Sequence, residues 1–545
     1  MKKILLFIFL TIIFSASAIQ AQPTSIDVED TFDFQLAIKY ATGNNVDTIY
    51  LSTPGGLYTT TDTLYYHITS PLVIMTKPGI TEMPTITHSD DSADVLEMFR
   101  ISDDLTIQGV IFDGSHEVCH GMKYALRAGD GPDGFPVHKT GLNITVKDCI
   151  FKNIYQDKDL EAAGHGLYFL KGVEAGTVKI ENCTFENLGD EAIRMSETEK
   201  FETERVVDTL IVRNCSFTNM DSECVRFYAD MDTSTTDAYV LIENITINNC
   251  SPEAMYIKNN QYTAVKNIII SNGRLPGSDR MDRGEFLIEV QQKGSYITNV
   301  DTFNCVYVGM PKDRLRATKG AIGVIEGTAF DFDPLYEDAS SNNYALQPSS
   351  PAHYSGENNK HLGDLRWASN SPNVSPLNVE IIGEGEVTFN PERVGFVFPT
   401  GTEVTVTAVA DSGWDFIEWG GDLSGTDNPT TIVVDGIKNI SASFHQQVSG
   451  VNDNILELYE YNLGQNFPNP FNPTTAISFT LKKEGYTTLK IFNSIGQEVS
   501  EIVNTMLKAG PHNVYIDGSK LASGVYYYQL SSGEFLTTKK MILLK

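Results

Sequence analysis

Four short phrases place polar side chains between apolar ones in a way that could do chemistry. They are Gly166-Leu-Tyr-Phe-Leu, Ala192-Ile-Arg-Met-Ser, Cys224-Val-Arg-Phe-Tyr and Ala254-Met-Tyr-Ile-Lys. Strand alternation turns Leu167/Phe169, Ile193/Met195, Val225/Phe227 and Met255/Ile257 inward. The opposite parity then faces solvent with Tyr168, Arg194, Arg226 and Tyr256 in one column, and Ser196, Tyr228 and Lys258 in the next. Just ahead of these strands runs a column of His165, Glu191, Glu223, Glu253 and Glu285. A guanidinium pairs with a carboxylate through two parallel hydrogen bonds, and a tyrosine ring packs on a sugar face. The candidate ligand-binding row is therefore Tyr168, Arg194, Arg226, Tyr228, Tyr256 and Lys258. Cutting a uronate chain by elimination needs a cation to neutralise the carboxylate and a base for the adjacent proton. Arg194, Arg226 and Lys258, with a tyrosine, are the candidates for those roles. A blander reading stands beside this one: Arg194 and Arg226 pair with Glu191 and Glu223 along a solvated sheet.

Other polar groups form no recognisable set. His116, His120, His138 and His165 lie near Asp130, Asp133 and Asp159, but their irregular spacing matches no metal-binding motif. No nucleophile elbow, P-loop or dinucleotide fingerprint is present. The net charge is −30, from 40 basic and 70 acidic side chains. Such a chain is a poor general partner for nucleic acid or an anionic membrane. An anionic ligand must be held by a local group of cations against the global field.

The elements that must position these residues are read from a repeated phrase. It starts at Leu105, Ile144, Val178, Leu210 and Val240, with a worn copy at Val265. Aligned, the copies give a column of Val110, Cys149, Cys183, Cys215, Ile245 and Ile268, and another of Phe112, Phe151, Phe185, Phe217, Ile247 and Ile270. Self-similarity at roughly 20–40 residues marks a solenoid. With short alternating strands it predicts a right-handed parallel β-helix, an all-β fold whose coils stack so that like residues form ladders. Cys149, Cys183 and Cys215 read as a reduced interior ladder, since a free cysteine packs as a small apolar residue. Asn153, Asn187, Asn219, Asn249 and Asn272 suit turns that need unusual backbone angles. At the start, Phe32, Leu36, Ala37 and Tyr40 predict one buried face of a short helix that caps the solenoid.

The two ends of the chain speak of export. Lys2 and Lys3 precede an apolar run, Ile4 to Phe14, that is shorter than the roughly 20 residues a membrane span needs. Ala16-Ser-Ala follows, so residues 1–21 read as a signal peptide cleaved after Ala18 or Ala21. No later stretch predicts a transmembrane helix. The last segment, about residues 456–545, carries Asn466-Phe-Pro-Asn-Pro-Phe-Asn-Pro-Thr-Thr and Leu521-Ala-Ser-Gly-Val-Tyr-Tyr-Tyr-Gln-Leu, and ends in Thr538-Lys-Lys-Met-Ile-Leu-Leu-Lys. This resembles the type A C-terminal sorting domain of type IX (Por) secretion cargo, which implies an immunoglobulin-like β-sandwich and the type IX machinery as partner. It also implies a Gram-negative source and delivery to the cell surface or the medium.

The middle of the chain carries two further resemblances. Residues 377–446, with Gly413-Trp-Asp-Phe-Ile-Glu-Trp-Gly-Gly-Asp, resemble the B-repeat modules first described in internalins. Trp414 and Trp419 there read either as core anchors or as a sugar platform. Residues 22–370, closing in Phe330-Asp-Phe-Asp-Pro-Leu-Tyr and His361-Leu-Gly-Asp-Leu-Arg-Trp, resemble secreted bacterial proteins with a pectate-lyase-like β-helix. At a coarse level the helix is similar to the chondroitinase-B and alginate-lyase type, which implies a polysaccharide partner. In that type a lysine and an arginine act from neighbouring coils beside acidic residues, and calcium enters only through this resemblance. The order differs here, because Lys258 follows Arg226. The expected protein binds or degrades polysaccharide, with uronate lyase activity as the enzymatic form and a non-catalytic adhesin as the alternative.

Overall fold

The computed structural model describes residues 24–543 except the segments 61–64, 89–94, 115–121, 130–139, 156–163, 196–206, 229–237, 274–286, 306–314 and 448–458 and gaps of one to three residues. The segment expected to be a signal peptide, His116, His120, His138, Cys119, Asp130, Asp133, Asp159, Ser196 and Glu285 lie outside the described residues. Two compact units are present, residues 1–447 and 448–545. Among the described residues no helix is long and apolar enough to cross a membrane.

The first unit is built on a parallel β-helix. Successive coils pair in parallel through a 17-stranded sheet and a nine-stranded sheet. The nine-stranded sheet takes one short strand from each coil: Tyr66–Ile68, Val95–Ile101, Met122–Ala128, His165–Phe169, Ile193–Met195, Val225–Tyr228, Met255–Lys258, Ile288–Gln291 and Leu315–Thr318. The expected ladders form the core. Phe112, Phe151, Phe185 and Phe217 stack with centroids 4.7, 4.8 and 4.9 Å apart and rings nearly parallel. These distances repeat the spacing of neighbouring strands. Cys149, Cys183 and Cys215 are fully buried and unbridged, as are Cys224, Cys250 and Cys305. Burial pushes the Cys183 and Cys215 thiols well up.

The corners of each coil are single left-handed residues. Asp148, Asn182, Asn214, Asn244, Asn267 and Asn299 form one column with φ of 51–59°, and Asn153, Asn187, Asn219, Asn249, Asn272 and Asn304 form a second with φ of 53–57°. An L residue other than asparagine or aspartate rarely takes this conformation. The amides hydrogen-bond from coil to coil, as in Asn187 Nδ2 to Asn153 Oδ1 (3.1 Å) and Asn219 Nδ2 to Asn187 Oδ1 (2.8 Å). The repeat phrase displayed both columns, but only the second was expected.

The capping helix exists, with a different buried face. Asp33 caps the helix Phe34–Gly43 by accepting from Gln35 N and Leu36 N. Counting from that cap, Phe34, Ala37, Ile38 and Ala41 point into the core. The Phe34 ring meets Tyr58, Tyr66 and Phe99. Phe32, Leu36 and Tyr40 are instead 54, 51 and 44% exposed. Of the expected face only Ala37 is buried.

After the last coil the chain runs back across the outside of the long sheet. Tyr344 OH bonds Thr218 Oγ1 (2.7 Å), and the buried Asp364 accepts from Ser216 Oγ (2.7 Å). Arg366 donates to the carbonyls of Asn182 (2.8 Å) and Cys183 (2.9 Å). The strap thus covers part of the long sheet's outer face. A small β module follows, with strands from Val374 to Gln446 in two sheets around Phe398, Trp419 and Phe444. Trp419 is core and donates Nε1–H to Asp427 O (3.0 Å), and Trp414 packs partly buried against the same cluster. Both tryptophans serve as anchors. The second unit packs a three-stranded and a four-stranded antiparallel sheet around Leu489, Tyr528, Leu530 and Met541.

The cysteine ladders set an expected outcome. In a Cys119→Ser background a thiol-reactive dye should label none of the six buried cysteines in native buffer and all six in denaturant. Native labelling of Cys149, Cys183 or Cys215 would show that the coils open there.

Candidate functional site

The nine-stranded sheet brings the expected row together. Tyr168 pairs with Arg194, Arg194 with Arg226, and Arg226 with Tyr256. Their inward neighbours Leu167, Ile193, Val225 and Met255 are fully buried, so the parity is as read. Tyr228 and Lys258 are in register by backbone, and their side chains lie outside the described residues. The row extends beyond these residues. Arg100 pairs with Arg127 and Arg127 with Tyr168, while Arg316 falls opposite Glu289 beyond Tyr256. Phe99-Arg-Ile, Leu126-Arg-Ala and Leu315-Arg-Ala repeat the apolar–Arg–apolar pattern of Ile193-Arg-Met and could have revealed them.

In-register stacking would set like charges over each other, so the arginines need partners beneath. The preceding column supplies them. Glu97 binds Arg100 and also Arg127 Nη1 (3.2 Å). Arg194 Nη1 donates to both Glu191 oxygens (3.2 Å each), and Arg226 Nη1 reaches Glu191 Oε1 at 3.0 Å and Glu223 Oε1 at 3.7 Å. Glu97, Glu191, Glu223 and Glu253 are all buried. The pairing between the arginines and the glutamates is therefore present, and the row is not a bare cationic strip. Tyrosine rings flank the guanidinium groups: Arg127 lies 5.4 Å from the Tyr124 ring centre, Arg194 5.4 Å from Tyr168, and Arg226 5.7 Å from Tyr256. Arg127 and Arg194 remain partly exposed, with side-chain exposures of 18 and 22%.

A tight polar cluster sits in the centre of the row. His165 Nδ1 faces Glu191 Oε2 at 3.1 Å, and Nε2 faces Asp190 Oδ2 at 3.7 Å. The imidazole is held between Tyr124 (5.2 Å, stacked) and Tyr168 (5.0 Å, tilted). Glycines on either side allow it to lie there. A Cβ at Gly164 would stand 1.9 Å from Ile154 O, and one at Gly166 2.7 Å from Ala192 O. Burial works to raise the Glu191 pKa, but His165 and Arg194 outweigh it and hold the carboxyl well below the usual range. Asp190 goes the other way. Burial first, and then the Glu191 carboxylate, push it up to about 6 against the lowering effects of His165 and Arg194.

His165, Asp190 and Glu191 are also close enough to share a cation. The donor set does not suit one. Both Glu191 oxygens already accept from guanidinium groups, so a divalent ion would sit against two fixed positive charges. Calcium, expected only by resemblance, finds no fitting residues in this cluster.

Comparison with known proteins covers the chain in parts. Residues 465–544 match the secretion system C-terminal sorting domain, and residues 376–448 match the divergent InlB B-repeat domain. Among solved structures the chain is similar to AlyGC, a PL6 family alginate lyase solved as a mutant, with 14% identity and a TM-score of 0.34. The match covers 59% of this chain and 40% of that one, so it spans less than half of the lyase. A search of curated proteins finds no match.

The raised Asp190 pKa has a consequence for stability. The folded chain holds this proton more tightly than the unfolded chain, so ionising Asp190 costs stability above about pH 6, and the cost fades as pH falls towards about 4. Asp190→Asn should therefore stabilise the protein by about 1–3 kcal/mol at about pH 7.5 and by little at about pH 4. Urea melts at both values check this. An equal effect at both would refute the electrostatic account.

The tail similarity indicates sorting through type IX secretion, and the chain is accordingly an exported, secreted or cell-surface β-helix protein that ends in a domain similar to the secretion system C-terminal sorting domain.

Proposed function

We propose that the outer face of the nine-stranded sheet binds a uronate-containing polysaccharide. One observation carries this reading: Arg100, Arg127, Arg194 and Arg226 share one row of the sheet, each held by a buried carboxylate, with Arg127 and Arg194 partly exposed beside the Tyr124 and Tyr168 rings. The coil spacing of about 4.8 Å repeats these groups along an extended line, which suits a linear chain of sugars carrying carboxylates. The buried glutamates cancel much of the row's charge, and the whole protein carries −30. Recognition then rests on directed hydrogen bonds and ring stacking, with bulk attraction playing little part. The strap covers part of the long sheet and leaves this sheet as the one with an uncovered row of this kind among the described residues. The small β module acts as spacer or accessory binder, and the tail as the export tag.

Two outcomes are expected. Arg194→Lys keeps a cation beside Glu191 but loses the planar fork, so affinity for a matching polyuronate should fall about tenfold or more with little change in melting temperature. Titration of alginate, polygalacturonate and glycosaminoglycans against both proteins checks this, and unchanged binding by the variant would place the ligand elsewhere. Removing residues 465–544 should leave the remainder in the periplasm. Surface delivery without them would contradict the assigned role of the tail.

A further inference from the structure

We propose that Asp190 is the proton-transfer group of this face, with His165 and Glu191 as its positioning residues, acting on a uronate seated against Arg194. The proposal rests on the polysaccharide reading above and adds a reaction to it.

The geometry is a row of close charged and polar contacts with one more exposed end. Two guanidinium groups from adjacent coils, Arg194 and Arg226, hold Glu191 at 3.2 and 3.0 Å. Glu191 faces one nitrogen of His165, and the other nitrogen faces Asp190. Side-chain exposure rises along this order, from 1% at Glu191 and 3% at His165 to 21% at Asp190. Whichever nitrogen carries the proton, both face carboxyl groups, and the two tyrosine rings keep the imidazole away from water. A structural ion pair needs only Glu191 and the arginines. It does not need a histidine lodged between two glycines, or a second carboxyl beyond it. The charged and titratable groups around Asp190 are Glu191, His165 and Arg194, with Tyr124 within electrostatic reach. Together they leave Asp190 with a pKa of about 6, where it can both accept and return a proton near neutral pH.

The step balances without a further reactant. Arg194 pairs with the substrate carboxylate and makes the neighbouring C5 proton more acidic. Ionised Asp190 accepts that proton, and the C5–H electron pair becomes a C4=C5 double bond. The C4–O4 bond breaks with its pair on O4, and the proton held by Asp190 passes to O4. The carboxylate is regenerated, and the chain is cut into a new chain end and an unsaturated uronide.

The test uses the full exported chain with alginate, polygalacturonate and glycosaminoglycans as probes. Binding and the ultraviolet absorbance of the unsaturated product are measured separately. Wild type should turn over at least one probe, with a rate that rises through about pH 6 as Asp190 ionises. Asp190→Asn should lose about 100-fold or more of that rate while binding stays within about twofold. His165 lowers the Asp190 pKa, so His165→Asn should keep binding and move the rising limb to higher pH. Wild-type turnover by Asp190→Asn would overturn the proposal, and an unmoved limb in His165→Asn would remove His165 from it. Binding of a probe with no turnover of any probe would also overturn the proposal and leave the binding reading standing. Failure of wild type to bind any probe would overturn both.

Discussion

In-register parallel stacking governs this protein. One coil cannot bury its own inward side chains, so it must lie on the next, and the roughly 4.8 Å spacing sets each residue over its counterpart. For apolar residues this is favourable. The phenylalanine ladder repeats the strand spacing to within about 0.1 Å per step. For asparagine it is also favourable, because an amide both donates and accepts and can hydrogen-bond its own kind above and below. The two corner ladders satisfy side chains at positions whose left-handed backbone already restricts the choice to Asn, Asp or Gly.

For charged residues the same rule is a cost. Arg194 is paired with Arg226, and Arg100 with Arg127. Two guanidinium groups one strand apart repel, and the sheet accommodates them by burying a glutamate at the entry to the strands. Glu191 accepts from arginines of two coils, as does Glu97. A buried carboxylate without such partners would be strongly unfavourable. Arg100, Arg127, Arg194 and Arg226 are therefore oriented by their counter-ions. A row arranged this way is pre-organised, and the proposed recognition of a planar carboxylate rests on that more than on the sum of charges on the face.

Asp190 breaks the pattern. Its neighbours neutralise Glu191 first, and Asp190 is left in a partly buried place that disfavours its charged form. Two adjacent carboxyl groups are thereby shifted in opposite directions, Glu191 well below the usual range and Asp190 up to about 6. Natural folds concentrate such local costs where chemistry is done. The strap has a complementary role: by ordering Asp364 and Arg366 against the long sheet it closes that surface with its own hydrogen bonds.

Much of this was legible in the chain alone, for a physical reason. A solenoid repeats one local solution, so the phrase that starts at Leu105 and recurs to Val265 displays its ladders directly in linear order. Strand parity then places Tyr168, Arg194, Arg226 and Tyr256 outward, and the tail phrases carry the resemblance to the sorting domain. The cap helix was legible in kind but not in face, because the buried stripe depends on where the chain is capped, and Asp33 starts it at Phe34. Arg100 and Arg127 carry the apolar–Arg–apolar pattern, but their strands stand outside the best-kept repeats, and pairing with Tyr168 fixes their place in the row. What the tertiary structure alone decided is how the charges are shared. Whether Glu191 serves one arginine or two, and whether His165 meets Glu191 and Asp190 at once, depends on distances between coils some 25–35 residues apart. Periodicity in a chain specifies which residues share a column, but only packing fixes the few ångströms that separate a neutralised ion pair from a carboxyl free to trade a proton.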